Sequence, residues 1–125
     1  MKISKWMVER YLQTVTAYVA DIGGAPEDLT EYDECIRDMK IGAENHNETK
    51  YLRLAIDYLI TYAIADAPGL MEMFYFYDEE EADELLRYIR FTVWGENSVA
   101  NPQLVKKVEL VDTSLIDWRK TRDKA

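Results

Sequence analysis

Cysteine is nearly absent: Cys35 stands alone, so no intramolecular disulfide can form and no thiolate zinc site can be assembled. Histidine is equally scarce. With His46 as its one imidazole, the chain lacks both the His-x-x-x-His spacing of zinc hydrolases and the Glu-x-x-His pairs of a di-iron bundle. Any Ser-His-Asp or Cys-His relay would have to pass through His46, with Cys35 as the sole thiol partner. Cys35 lies beside Ile36 on an expected helix, where a small inert buried thiol is the usual occupant.

Glycines number five and prolines three. None of them builds a phosphate loop, because Gly23-Gly24 has neither the motif nor an adjacent lysine. The acidic run from Asp78 to Glu84 is no calcium loop, since Asp83 stands where an EF-hand requires glycine. Paired carboxylates for glycoside chemistry carry no weight in so acidic a chain. The expectation is therefore no catalytic residue, no metal and no cofactor.

Long apolar runs are also missing. The most apolar stretch, Tyr51 to Ala65, contains Arg53 and Asp57 and falls short of the roughly 20 residues of a membrane span. Glu9, Arg10 and Asp21 interrupt residues 1–22, which excludes a secretory leader with an unbroken apolar centre. A cytoplasmic setting with no membrane partner is expected.

What is present makes a folded helical domain. Apolar residues form 48% of 125, enough for a core in a chain of single-domain size, and fifteen aromatics argue against disorder. The pattern predicts a mainly α fold: a bundle of about five to six helices around a central apolar helix over 48–65. A minor two-stranded β element is the added possibility, 71–77 pairing with 105–112. One domain is expected over 1–125, with 119–125 a frayed charged tail.

Val8, Leu12, Val15, Val19 and Ile22 form one stripe of a helix over 2–22, ended by Gly23-Gly24. A second helix begins between Thr30 and Asp33, buries Tyr32, Ile36 and Met39, and ends at Gly42. Asn47 is the expected cap of helix 48–65, whose only polar stripe is Lys50, Arg53, Asp57 and Thr61. Leu70 to Tyr77 reads as helix or strand. Asp78 and Glu81 make a capping box for a helix that buries Ala82, Leu85, Leu86, Ile89 and Val93 and closes at Trp94-Gly95. Asn101-Pro102 starts a short helix. A last helix begins near Thr113 or Ser114, with Leu115, Ile116 and Trp118 facing in.

Charge is where the chain speaks of function. Twenty-four acids against fifteen bases give a net charge of −9. That balance opposes direct binding to nucleic acid or to an anionic membrane, and favours a protein partner with a basic surface. Residues 21–48 hold nine acids and two bases, net −7, and residues 66–84 hold eight acids and no base, net −8; the rest is net +6. If the two stretches converge, their fields add into one acidic face that imitates a phosphate row. The candidate partner-binding residues are Glu27, Asp28, Glu31, Asp33, Glu34, Asp38, Asp78, Glu79, Glu80, Glu81, Asp83 and Glu84. The ordinary explanation competes with this one, since charge runs are usually solvated faces and helix starts favour acids locally.

The functional expectation is a non-enzymatic acidic protein-binding module, an inhibitor or nucleic-acid mimic occupying the basic surface of a nucleic-acid-handling protein. The alternative is a helical homo-oligomeric or structural protein, such as a homodimer, associating through an aromatic surface. Its candidates are Tyr51, Tyr58, Tyr62, Tyr75, Tyr77, Trp94 and Trp118.

Overall fold

Residues 1–95 and 99–122 are described by a computed structural model, the side chain of Asp21 excepted. The architecture is mainly α with a two-stranded sheet. The helix expected over 2–22 is in three pieces. Residues Lys2–Ser4 form strand β1, Lys5–Thr16 form helix α1, and Val19–Ile22 form a short α2. Ser4 caps α1, its hydroxyl oxygen accepting from the Met7 N–H while its own proton goes to the Thr113 carbonyl at 2.7 Å. The break after Thr16 coincides with that buried hydroxyl donating to the Met71 carbonyl at 2.8 Å. Gly23 ends α2 in the left-handed region, φ 73°, as its lack of Cβ allows.

β1 pairs in parallel with β2 (Glu109–Val111), Ile3 lying opposite Leu110. The strand expected within 105–112 is thus present, but its partner is the N-terminal segment and not 71–77. Alternation in Val108 to Val111 marks a strand without naming its neighbour. Ile3, wholly buried, identifies that neighbour only in the structure. Residues 72–78 form no strand. The carbonyls of Met71 and Glu72 accept side-chain donors from α1 instead of ladder amides.

A 3₁₀ turn (Leu29–Tyr32) leads into α3 (Asp33–Asn45). Gly42 does not end α3; the helix runs on to Asn45, with the Tyr11 ring against Gly42 at 3.5 Å from where a Cβ would stand. Asn47 is the sole non-glycine residue at positive φ (55°) among those described, and Glu48 occupies the cap position expected of it. Helix α4 (Thr49–Tyr62) is central as expected, burying Tyr51, Leu52, Leu54, Ala55, Ile56 and Leu59 and packing against α1, α3, α6 and α7.

The polar stripe expected on α4 is only partly solvated. Asp57 is fully buried, paired with Arg90 at 2.9 Å and accepting the Ala100 N–H at 2.7 Å. Beyond a second 3₁₀ turn (Ile64–Asp66) lies α5 (Ala67–Met71), with Pro68 in its first turn. Helix α6 (Glu79–Trp94) opens with the Asp78/Glu81 capping box, both halves formed, and closes at Gly95, φ 72°. Short α7 (Pro102–Val105) follows its Asn101 cap, and α8 (Leu115–Thr121) its Ser114 cap.

On α8, Trp118 is buried, but Ile116 points outward at 69% exposure, contrary to expectation. Residues 119–121 continue α8, and Arg122 caps it. Arg119 and Arg122 both reach the buried Glu48, at 2.8 and 2.5 Å, while residues 123–125 lie outside those described. No single helix among the described residues is long and apolar enough to cross a membrane.

Candidate functional site

The 25–32 segment lies against the first two turns of α6. Ala25, Pro26, Leu29 and Tyr32 form one wall of a narrow groove of about 60 Å³, and Tyr77, Glu81, Glu84 and Leu85 form the other. At its base the hydroxyls of Tyr32 and Tyr77 share a hydrogen bond of 2.6 Å, both rings buried. The seam continues along α3, where the Tyr88 hydroxyl donates to Asp33 at 2.5 Å. The two acidic stretches therefore meet along one seam.

Tyrosines organise the carboxylates there. Tyr18 donates to Glu31 at 3.0 Å and Tyr75 to Glu81 at 2.6 Å, besides the Tyr88–Asp33 pair. A phenol neutralises nothing; it fixes a carboxylate oxygen while leaving its charge in place. The phenols register that charge. Burial pushes Tyr32 up, the Tyr77 hydrogen bond works against it, and the charges of Glu81 and Glu31, one from each stretch, push it up again. Tyr88 is raised first by its bond to Asp33 and then by burial, with Asp28 adding to the effect. Asp28 itself is held below the usual carboxylate range by the backbone and hydroxyl donors of Thr30.

Of the candidate acids, Glu27, Asp28, Glu31, Glu34, Asp38, Asp78, Glu79, Glu80 and Glu84 are exposed, and Asp33, Glu81 and Asp83 are half-buried. Glu31, Asp33, Glu81 and Glu84 sit at the seam, with Glu27 and Asp28 on the same stretch. Glu34 and Asp38 stand on α3 and do not line the groove between 25–32 and 77–85. Among the described residues only Asp83 of the twelve forms an ion pair, with Arg87 one turn later at 2.9 Å. Arg37 and Lys40 join Asp33 along a hollow further up the seam, so the acidic surface fades towards Thr92 and Val93.

The aromatic candidates divide differently. Tyr51, Tyr77 and Trp118 are core residues, Tyr58, Tyr75 and Trp94 are half-buried, and Tyr62 alone is exposed. The two most exposed aromatics of the described residues lie elsewhere, in the 72–78 connection. Phe74 and Phe76 are 64% and 79% exposed, and Met73 is 47% exposed. Sequence reasoning passed over these three. The signal was the alternation in Phe74-Tyr-Phe-Tyr77, which points two residues in and two out without regular strand pairing.

A second carboxylate site is structural. Glu48 is fully buried, accepting from Tyr11 at 2.5 Å, from Nε and Nη2 along one edge of the Arg119 guanidinium and from Arg122. Burial alone would raise its pKa; the bonds from Arg119 and Tyr11 and the charges of both arginines overcome this and hold it below 4.5. Tyr11 is pushed up to about 12, by burial first and then by Glu48. Trp118 packs edge-on against Tyr51 at 5.2 Å, completing the attachment of α8.

Among the described residues no group of three or more His, Cys, Asp or Glu side chains is gathered closely enough to hold a metal ion. Cys35 is half-buried on α3. Comparison with protein-family models, with curated proteins and with solved structures returns no match.

Proposed function

We propose that this chain is a non-enzymatic protein-binding module whose acidic seam occupies a basic surface of a nucleic-acid-handling protein. The observation that carries the reading is the shared groove between residues 25–32 and 77–85, which joins the fields of two stretches that together hold most of the chain's acids. Convergence matters because separate charges steer weakly under physiological screening, with a Debye length of about 8 Å, whereas neighbouring charges reinforce one another. The tyrosine donors support it further. Side chains held in place lose less freedom on binding than free ones.

One variant tests this by reversing four exposed acids that form no ion pair among the described residues, Glu27→Lys, Glu34→Lys, Glu80→Lys and Glu84→Lys. Immobilised wild-type chain should recover a nucleic-acid-handling protein from its native host lysate at roughly 0.15 M salt, and added duplex DNA should compete it away. The folded variant should recover none. Undiminished recovery by the variant refutes the proposal.

The alternative, self-association through an aromatic surface centred on residues 48–65, retains Tyr58 and Tyr62, whose rings lie 6.2 Å apart at the end of α4. The remaining aromatic of that helix, Tyr51, is covered. Sedimentation of wild type and of the Tyr58→Ala/Tyr62→Ala variant tests it.

A further inference from the structure

Phosphate imitation needs carboxylates, yet the loop at the mouth of the acidic seam displays phenylalanines. The 72–78 connection is pinned from inside. Tyr75 and Tyr77 pack edge to face at 4.9 Å, and their hydroxyls are taken by Glu81 and Tyr32. At the loop's start, Gln13 donates to the Glu72 carbonyl at 3.2 Å and Thr16 to that of Met71. With the Tyr75 and Tyr77 hydroxyls bonded, Phe74 and Phe76 face solvent from a loop tied down at both ends. Large apolar side chains displayed in this way are the usual anchors of a protein interface, because little freedom remains to be lost on docking. Met73 extends the apolar surface towards Trp6, the two lining a hollow of about 410 Å³ beside α1.

The surroundings select the occupant. Glu72 and Asp78 bracket the loop, Glu79 and Glu80 follow it, and no lysine or arginine occurs in sequence between Arg53 and Arg87, while Arg10, with Glu9 beside it, lines the hollow next to Met73. A second copy docked face to face would set this acidic rim against itself, and an anionic membrane would repel it. We propose that Phe74 and Phe76 anchor a protein partner that presents an apolar pocket rimmed by lysine and arginine, so that binding is hydrophobic at its centre and electrostatic at its edge. This rests on the acidic-seam reading and deepens it. The chain would dock by burying phenylalanine, with its carboxylates setting the rate and orientation of approach.

Two synthetic probes of equal positive charge separate the contributions: an amphipathic helix of leucine and lysine, and an oligolysine. Each is titrated into the full chain at roughly 0.15 M salt, with affinity read calorimetrically and the site read from amide chemical shifts. The amphipathic probe should bind at least about tenfold more tightly than oligolysine and should shift the amides of residues 73–77. Phe74→Ala/Phe76→Ala should remove that advantage and leave oligolysine binding within about twofold. Both side chains are exposed, so an unchanged melting temperature is expected of the variant.

Equal affinity for the two probes overturns the anchor, as does full amphipathic binding by the phenylalanine variant. Either result leaves the acidic reading standing. Amphipathic binding that survives the four-lysine variant overturns the acidic reading and the basic rim together. A dimer in sedimentation that the phenylalanine variant dissolves assigns the loop to a second copy and also overturns the proposal. So does adsorption to phosphatidylcholine vesicles.

Discussion

Glu48 and Asp57 lie wholly buried against arginines, whereas Glu27, Glu34, Glu80 and Glu84 stand in water with no ion pair among the described residues. The first pair of acids spends its charge on the fold, joining α4 to α6 and α8. The second group contributes nothing comparable to the core and keeps its charge available. Position along the chain does not separate the two, since Glu48 belongs by sequence to the acidic 21–48 stretch. What separates them is the arginines that the tertiary structure brings, from positions 90, 119 and 122.

The sharpest break of this comparison is at Asp57. Arg90→Met would leave a buried carboxylate with the Ala100 amide as its one remaining partner among the described residues, and one-sided removal of a buried pair costs about 3–5 kcal/mol. Urea unfolding should show that loss in its midpoint. Glu48→Gln comes next, at about 2 kcal/mol, because charge-assisted bonds to Arg119 and Arg122 weaken while the shape is kept. Tyr77→Phe removes one hydroxyl of the buried Tyr32–Tyr77 pair and should cost about 1–2 kcal/mol, read from the same midpoint. The four-lysine variant of the exposed acids should change stability least, each position contributing within about 0.5 kcal/mol.

Acidity sharpens the contrast. Glu48 has its pKa lowered in the folded state, so its contribution is complete above the ordinary value of 4.5 and is lost as the pH falls through the depressed folded value. Stability of the wild type should therefore decline on acidification below about 4.5, and Glu48→Gln should flatten that decline. The four-lysine variant should leave the Glu48 component of the decline in place. Chemical denaturation at several pH values reads both. A decline unaltered in the Gln variant would remove Glu48 from the account.

Local features were legible in the sequence. The Asp78/Glu81 box, the glycine stops at 23 and 95, the Ser114 cap and the apolar α4 each state their structure within a few residues. Features that depend on distant neighbours were not. Asp57 falls on a regular polar stripe of its own helix, and only Arg90, on another helix, explains why it is inside. Gly42 reads as a stop because nothing local reveals the Tyr11 ring beside it. Of the two long-range expectations, the pairing of 71–77 with 105–112 named the wrong partner, while the acidic convergence was made from composition, and the groove between 25–32 and 77–85 brings those stretches together. That the tyrosines would serve the acids was hidden, because the sequence presents aromatics and charges as rival surfaces. The outward phenylalanines were hidden because alternation without strand partners fits neither regular period.

The parallel pairing of β1 with β2 fixes an order of events during synthesis. Ile3 cannot be covered until Leu110 has left the ribosome, and the Lys2 carbonyl waits for the indole of Trp118, 116 positions later. Early helices can form as they emerge, but closure of this corner is deferred until residues 109–118 have been made. A nascent chain halted before residue 109 would carry Ile3 without its strand partner, although α3, α4 and α5 could already cover the inner side of α1, which makes that interval the time when a chaperone would find the first residues.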